Sequence, residues 1–400
     1  MKNKYSDKIV LRKKRWRDMI ISCFLVFTIS VMTVLPIFAM PTERDNIGID
    51  VNAKSAILME ATTGKVLYEK NADEALPPAS VTKVMTLLLV MEALEAKKIS
   101  LDDTVRASAN ACSMGGSQIF LKENEEMSVE DLIKSVVIAS ANDAAVVLAE
   151  YVAGSEAAFV EMMNKRAGEL GMKNTFFENT NGLDDTVENH LTSARDIAIM
   201  SRELIKYPKI TEYSSIWMDS IRNGEFGLTN TNRLVRFYKG ATGLKTGSTA
   251  KAGFCISATA ERNGMGLICI IMGAESRDIR NAAATALLDY GFANYEIFKD
   301  EGKQLDKIPV IKGSKQTVGA EYGTFSTIVK KGEGSKITKE ILVEKSINAP
   351  IKKGDIIGSV VYKSDGNEIG KTDILAIEDV EKITYGIIFC DFLKKCTIIM

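Results

Sequence analysis

The sequence contains little of what metal sites and charge-driven binding surfaces need. Its 400 residues include a single histidine, His190, so a multi-histidine metal site is excluded and a serine–histidine–aspartate triad would have to use that residue. The formal net charge of -1 provides no general positive field, which argues against nucleic acid as a partner. Acid–base chemistry must therefore use lysine, tyrosine or carboxylate side chains, and no metal or other cofactor is expected.

The cysteines do not have the spacing of a zinc ribbon, because no two of the six are separated by two residues. Cys255 and Cys269 lie on two apolar runs, one on each side of Asn263-Gly264. If Asn263-Gly264 forms a hairpin turn, Cys269 faces Ala258 and is out of register with Cys255. We therefore interpret both cysteines as small buried apolar residues and not as a disulfide.

The N-terminus begins with basic residues and continues into an almost uncharged apolar stretch from Met19 to Ala39. A basic region before an apolar segment is typical of an export signal, and the basic arm stays in the cytoplasm. Residues 1–39 are predicted to be a signal peptide cleaved after Ala39. Because about 20 apolar residues suffice to cross a bilayer, an uncleaved N-terminal membrane anchor is the alternative. Both interpretations export the rest of the chain.

Residues 48–298 are predicted to form one domain that mixes strands and helices. Strand-like runs begin and end this region, and several apolar helix-like segments lie between them. Strands at both ends with helices in the middle predict an α+β fold, an antiparallel sheet covered by helices.

The pattern changes in the C-terminal quarter. Residues 305–377 consist of short β-rich runs separated by glycine and lysine turns, which predicts a smaller all-β domain. On a helix, residues 378–400 separate apolar from charged positions, so they are predicted to be an amphipathic tail that binds the membrane surface. A terminal helix packed on the β domain is the alternative.

The segment Pro77-Pro78-Ala79-Ser80-Val81-Thr82-Lys83 places a serine where a proline-led loop enters an apolar helix. An N-cap role would explain Ser80, but it does not explain Lys83, because a first-turn cation opposes the helix dipole. The two side chains share a helix face, and a desolvated lysine can lose its proton and act as a base toward the hydroxyl. The pattern alone proves little, since Ser248-Thr249-Ala250-Lys251 matches it too.

Two further motifs contain polar groups suited to peptide chemistry. Ser140-Ala141-Asn142 lies between two predicted helices, where serine and asparagine are also natural helix breakers and caps. Lys245-Thr246-Gly247 precedes the last two strands. Its lysine and threonine can hold an anionic substrate end, and its glycine lets a peptide lie along the strand edge. A solvated edge-strand lysine beside a turn glycine is the alternative.

In this order and context, the three motifs resemble the active-site set of penicillin-recognising serine enzymes. Asn181-Gly182-Leu183-Asp184, Ser193-Ala194-Arg195-Asp196 and Tyr290-Gly291-Phe292 extend the resemblance to one family. This family is the low-molecular-mass penicillin-binding proteins that are serine-type D-alanyl-D-alanine carboxypeptidases, peptidase family S11. The resemblance covers nearly the whole chain from about Val51 and implies a β-lactamase/transpeptidase-like catalytic domain.

The resemblance also implies a reaction, in which a serine attacks the terminal D-Ala-D-Ala bond of a peptidoglycan stem peptide, D-alanine leaves, and water hydrolyses the acyl-enzyme. β-Lactam antibiotics would acylate the same serine. The implied catalytic residues are Ser80 as nucleophile, Lys83 as general base and Ser140 as proton relay. The implied substrate-binding residues are Asn142, Lys245, Thr246, Gly247, Ser248 and Arg280.

Within this implied site, the backbone N–H groups of Ser80 and Ser248 form the oxyanion hole. Arg280 is the additional cation for the terminal carboxylate, with Arg277 as the alternative. His190 is expected to have a structural role in its loop. The implied location is the outer face of the cytoplasmic membrane.

Three alternatives stay open at this point. A class A β-lactamase would need a glutamate for deacylation, and no Glu-x-x-Leu-Asn sequence occurs between Ser140 and Lys245. A non-catalytic wall-binding protein would use the cleft as a peptide receptor. A transpeptidase or endopeptidase would differ only in the acceptor or the leaving group.

Overall fold

The structure of the chain is a computed structural model, and it describes residues 49, 51–185, 187–386 and 388–389. The predicted signal peptide or membrane anchor, residues 1–39, lies outside the described residues, as does the end of the predicted tail, residues 390–400. Among the described residues, no helix has both the length and the apolar character needed to cross a bilayer.

A five-stranded antiparallel sheet forms the centre of the catalytic region. Its strands are β1 (Ser55–Glu60), β2 (Val66–Lys70), β7 (Ala241–Thr249), β8 (Gly253–Arg262) and β9 (Met265–Ala274). They are arranged in the order β2-β1-β9-β8-β7. The hairpin that begins the region thus pairs with the hairpin that ends it, and β7 lies at an edge of the sheet. The predicted α+β fold is confirmed.

Helices cover this sheet, and two short hairpins lie among them. The helices are α1 (Lys83–Glu95), α2 (Ala109–Cys112), α3 (Val129–Lys134), α4 (Asn142–Ala153), α5 (Glu156–Glu169), α6 (Ala194–Leu204), α7 (Pro208–Ser214), α8 (Leu234–Phe237) and α9 (Arg277–Asn294). The hairpins join β3 (Thr104–Arg106) to β4 (Glu126–Ser128) and β5 (Met218–Ile221) to β6 (Phe226–Thr229). Because α1 is apolar on nearly every face, almost all of it is buried in the core.

The hairpin of β8 and β9 has the predicted register. Cys269 pairs with Ala258, and a bulge near Cys255 moves that residue further out of line. Both thiols are free and buried. Burial raises the pKa of each thiol, to about 11 at Cys255, so both remain protonated and behave as apolar core residues.

A second, smaller β unit follows α9. Its strands are β10 (Tyr295–Asp300), β11 (Lys303–Ile311), β12 (Thr317–Tyr322), β13 (Phe325–Lys330), β14 (Thr338–Val343), β15 (Ile347–Asn348), β16 (Ile356–Ser364) and β17 (Asn367–Ala376). Six of them form one mixed sheet in the order β14-β16-β17-β12-β11-β15. Since β10 pairs with β13, residues 295–300 belong to this unit.

The start of the predicted tail packs against this unit. Val380 pairs with Ile351, and Lys382 pairs with Gly313. The first residues of the predicted tail, which begins at residue 378, therefore belong to the β structure.

Candidate active site

The turn that contains Ser80 is a short 3-10 helix, Ala79–Thr82, and α1 begins directly after it at Lys83. Pro78 occupies the N-cap position, and no side chain caps this turn, so Ser80 is not an N-cap. Strand β7 packs against the turn so closely that a Cβ added to Gly247 would lie 2.8 Å from the Ser80 nitrogen. Gly247 is thus required for contact between the Lys-Thr-Gly strand and the serine turn.

Lys83 is fully buried, and its Nζ has three oxygen neighbours. The distances are 2.9 Å to Ser80 Oγ, 2.5 Å to Asn142 Oδ1 and 2.8 Å to the carbonyl oxygen of Asn181. The amide and carbonyl oxygens can only accept hydrogen bonds, so two N–H groups of the amine donate to them. In the neutral amine, the remaining position is a lone pair directed at the Ser80 hydroxyl.

The surroundings of Lys83 favour this neutral form. Burial lowers the pKa of Lys83 well below its ordinary value, and repulsion from Lys245 lowers it further. Attraction to Asp143 opposes these effects but is the smallest of the three. A lysine in this neutral form can accept a proton from a neighbouring hydroxyl.

The Ser-x-Asn motif lies where α3 passes through a π-helical turn, Ser135–Ala139, into α4. Ser140 adopts a left-handed backbone conformation with φ of 65° and is buried. Besides its bond to Lys83, Asn142 donates from Nδ2 to the carbonyl oxygen of Gly115 at 2.6 Å. An amide nitrogen has two hydrogens, and among the described residues only the Gly115 carbonyl accepts a hydrogen bond from Asn142 Nδ2.

The Lys-Thr-Gly motif lies on β7, with Lys245 and Thr246 buried. Lys245 donates to the carbonyl oxygen of Thr246 at 3.0 Å, and the Thr246 hydroxyl donates to Thr231 Oγ1 at 2.7 Å. Burial, with repulsion from Arg280, lowers the pKa of Lys245 to about 7. Ser248 follows on the same strand and is exposed.

Arg280 is a third buried basic residue, with only 2% of its surface exposed, whereas Arg277 is exposed. Its nearest polar neighbours are neutral, namely Asn281 Oδ1 at 2.9 Å and the carbonyl oxygen of Cys255 at 3.4 Å. Burial lowers the pKa of Arg280 to about 10. Within the part of the chain that the structure describes, none of the buried basic residues Lys83, Lys245 and Arg280 forms a salt bridge.

The second Ser-x-x-Lys match has a different environment. Ser248 lies on a strand, so Lys251 is not held against it by a helix, and Lys251 is exposed. Its Nζ contacts the carbonyl oxygen of Val187 at 3.4 Å. This pair therefore lacks the desolvation that activates Lys83.

The sequence did not reveal two contacts of the site. Asn181 contributes a backbone carbonyl to Lys83, and Thr231 contributes a hydroxyl to Thr246. A backbone carbonyl carries no side-chain pattern, and Thr231 lies in an ordinary polar stretch. The Asn181-Gly182 pair marked the family resemblance but not the role of this loop.

A neutral amine directed at a serine hydroxyl is suited to forming an acyl-serine, and unpaired buried cations beside it are suited to a substrate with an anionic end. The fold and site thus define a serine acyl-transferring enzyme. A family model described as D-alanyl-D-alanine carboxypeptidase, peptidase S11, matches residues 40–276. A second model, described as the C-terminal domain of penicillin-binding protein 5, matches residues 292–382.

Individual relatives agree with these models. The chain is 43% identical to the D-alanyl-D-alanine carboxypeptidase DacF of Bacillus subtilis over 93% of this chain and 96% of the relative. Penicillin-binding protein 5 of Haemophilus influenzae has 34% identity and a TM-score of 0.73, covering 84% of this chain and 99% of that structure. Penicillin-binding protein D2 of Listeria monocytogenes, solved in the ampicillin-bound form, has 32% identity and a TM-score of 0.56, covering 61% and 98%.

The chain therefore belongs to the S11 family of D-alanyl-D-alanine carboxypeptidases. It is a serine-type carboxypeptidase of peptidoglycan metabolism and a low-molecular-mass penicillin-binding protein. Membership of this family implies peptidoglycan ending in D-Ala-D-Ala and β-lactams as ligands, and a place of action outside the cytoplasm.

Proposed function

We propose that Ser80 is the nucleophile and that Lys83 removes its proton as it attacks the carbonyl between the two terminal D-alanines. The 2.9 Å contact between Lys83 Nζ and Ser80 Oγ, with the other two Nζ neighbours restricted to acceptor roles, is the observation that carries this proposal. The serine–carbon bond forms as the proton moves to the amine. The bond to the leaving D-alanine then breaks, and its nitrogen takes up a proton.

Ser140 is proposed to pass that proton to the leaving nitrogen, because it is buried and lies two residues from Asn142, which contacts Lys83. The oxyanion is proposed to form in the space between the backbone N–H groups of Ser80 and Ser248. The N–H of Ser80 lies in the first turn of a helical segment, where backbone donors have no partner within the helix. The close contact of Gly247, the residue before Ser248, with the serine turn supports this assignment.

The three buried basic residues have two roles in this proposal. Lys245 and Arg280 bind the terminal carboxylate, while Lys83 carries out proton transfer. The Thr246 hydroxyl assists them by turning its one proton from Thr231 Oγ1 to the carboxylate. The second N–H of Asn142 Nδ2 binds the amide on the other side of the scissile bond. After D-alanine leaves, water enters its place and Lys83 again accepts the proton, which regenerates Ser80.

The test of this proposal is mass spectrometry of the purified protein after incubation with penicillin and, separately, with a peptide ending in D-Ala-D-Ala. We expect one penicillin adduct, located on the peptide that contains Ser80, and stoichiometric release of D-alanine from the other substrate. Absence of the adduct from the Ser80 peptide, together with no release of D-alanine, would exclude the proposal.

We further propose that the exported chain is held at the outer face of the cytoplasmic membrane by the end of its tail. The described residues of the tail leave the β unit after Ile383, whose N–H donates to the carbonyl oxygen of Lys312. The remaining sequence combines apolar residues with lysines, which suits an anionic lipid surface.

Truncation after Ile383 is expected to abolish co-sedimentation of the protein, taken from residue 40 onward, with phosphatidylglycerol vesicles. The rate of acylation by penicillin serves as the control and should be unchanged, since the truncation leaves the site intact. Equal sedimentation of the two proteins would show that this part of the tail does not bind the membrane.

A further inference from the structure

The loop of residues 178–190 contacts the serine turn at the carbonyl group just before the nucleophile. Gly182 has φ of +84°, and a Cβ added to it would lie 1.9 Å from the carbonyl oxygen of Ala79. Ala79 itself has φ of 48°, a left-handed conformation that residues other than glycine rarely adopt. Such a conformation persists only where the surrounding structure holds it.

A chain of three hydrogen bonds supplies that hold. The backbone N–H of Glu178 donates to His190 Nδ1 at 2.9 Å, and His190 Nε2 lies 2.7 Å from Thr82 Oγ1. The Thr82 hydroxyl donates to the carbonyl oxygen of Ala79 at 2.8 Å. The chain thus connects the loop to the residue that precedes Ser80.

Only one arrangement of protons satisfies this chain. Since Nδ1 of His190 accepts from a backbone N–H, the imidazole proton is on Nε2, which donates to Thr82 Oγ1. The hydroxyl proton of Thr82 is then free to reach the Ala79 carbonyl. A doubly protonated imidazole would direct a second N–H at the N–H of Glu178 and break the first bond.

The site of His190 keeps the imidazole neutral. The side chain is 3% exposed, and the edge of its neighbour Phe177 faces it with ring centroids 5.6 Å apart. Burial lowers the pKa of His190 to about 4, although attraction to Asp184 opposes this. The donor–acceptor order of the chain is therefore fixed at the pH at which a Ser–Lys pair works.

We propose that His190 is a positioning residue for acylation, which acts through Thr82 on the Ala79 carbonyl and so fixes the Ser80 hydroxyl against the Lys83 amine. The inference depends on the proposed roles of Ser80 and Lys83. The positions of the residues support it, because the hydrogen-bond chain ends at Ala79, one residue before the nucleophile, and Thr82 directly precedes the base. The same loop also supplies the Asn181 carbonyl to Lys83, so one segment orients both reacting groups.

Loss of these hydrogen bonds should lower the rate of acylation more than it weakens substrate binding. Thr82 lies in the serine turn itself, and the side chains of both His190 and Thr82 are buried, so we expect them to act on the reacting groups and not to bind the substrate. A displacement of a reacting atom by about 1 Å can cost about 100-fold in rate. We expect kcat and the rate of acylation by penicillin to fall by about 10- to 100-fold, with KM within about threefold of the wild-type value.

Two matched pairs of variants test the chain. His190→Asn keeps an acceptor for the Glu178 N–H but does not reach Thr82, whereas His190→Gln keeps a donor at the position of Nε2. Thr82→Val fills the volume of threonine without its hydroxyl, whereas Thr82→Ser keeps the hydroxyl. Each protein is compared with the wild type in stopped-flow acylation by fluorescent penicillin, steady-state hydrolysis of a D-Ala-D-Ala peptide, and thermal unfolding.

We expect slow acylation in Thr82→Val and in His190→Asn. Thr82→Ser and His190→Gln, which keep the hydrogen bond, should be acylated at nearly the wild-type rate. The double variant His190→Asn/Thr82→Val should be no slower than the slower single variant, since both break one chain. Acylation by Thr82→Val at the wild-type rate, or effects that multiply in the double variant, would overturn the proposal. If His190→Asn does not fold, the Thr82 pair decides, because Thr82→Val leaves the imidazole in place.

This outcome is distinguishable from failure of the proposed function. A wild-type protein that forms no adduct on Ser80 would remove the nucleophile itself. If the wild type and Thr82→Val are both acylated on Ser80, and at the same rate, Ser80 is still the nucleophile and only the proposed role of His190 is rejected.

Discussion

Replacement of Lys83 by methionine is expected to lower the rate of acylation by penicillin, and kcat for a D-Ala-D-Ala peptide, by about 1,000-fold or more. Methionine has nearly the length and volume of lysine but no basic atom, so Ser80 loses the group that takes its proton. The expected loss is in the chemical step, because Lys83 lies behind the serine and is fully buried. Stopped-flow measurement of acylation with fluorescent penicillin gives the rate directly.

Stability separates this loss from unfolding. Lys83→Met replaces a buried polar amine with an apolar thioether, which removes the cost of burying that amine. The hydrogen bonds to Asn142 and Asn181 are lost at the same time, so we expect the midpoint of thermal unfolding to change little. A folded Lys83→Met protein that acylates within tenfold of the wild-type rate would show that another group is the base.

Lys251→Met is the matched control, because Lys251 belongs to the second Ser-x-x-Lys match. The same side-chain change at this exposed position should leave the acylation rate within about twofold of the wild type, as for most surface substitutions. The same substitution at the two Ser-x-x-Lys matches would thus have different effects on the acylation rate, since only Lys83 is desolvated beside its serine.

The fold could be predicted from sequence because its elements have regular patterns. The apolar run after Lys83 predicted a buried helix, and Asn263-Gly264 predicted the hairpin and the register of Cys269. The pairing of β10 with β13 could not be predicted in the same way. Strand pairing over such a distance is not contained in a local pattern.

The site could be predicted only in part. Lys83 was indicated by a broken local rule, a cation against the helix dipole. Burial lowers the pKa of this lysine and so favours the neutral amine, which does not oppose the dipole. The contacts of Asn181 and His190 could not be read from sequence, because they depend on a loop folding back on the serine turn. The structure also reveals Ala79 in a left-handed conformation, which no neighbouring residue type predicted.

Replacement of Arg280 by methionine is expected to lower kcat/KM for a peptide with a free C-terminal carboxylate by about 100-fold, mainly through KM. In the described residues the guanidinium has only neutral polar neighbours, the Cys255 carbonyl and Asn281 Oδ1. A buried cation without an anion is costly, and a substrate carboxylate would supply the missing charge. Steady-state kinetics with the peptide acid and with its C-terminal amide measure this contribution, because the amide has no charge to lose.

The pH dependence of the same variant provides a second test. In the wild type, the pKa of Lys245 is about 7, so the cation that assists Arg280 is lost and kcat/KM for the acid falls as pH rises through 7. Repulsion from Arg280 contributes to this low pKa. Without Arg280 the pKa of Lys245 rises, and the fall in kcat/KM should move to higher pH.

Arg277→Met is the control for both measurements. Arg277 is exposed, so its removal should leave selectivity for the acid over the amide, and the alkaline fall in kcat/KM, close to the wild type. If Arg277→Met loses this selectivity and Arg280→Met keeps it, the carboxylate partner is Arg277. If Arg280→Met loses selectivity and shifts the pH profile upward, one buried guanidinium both binds the carboxylate and sets the protonation of the lysine beside it.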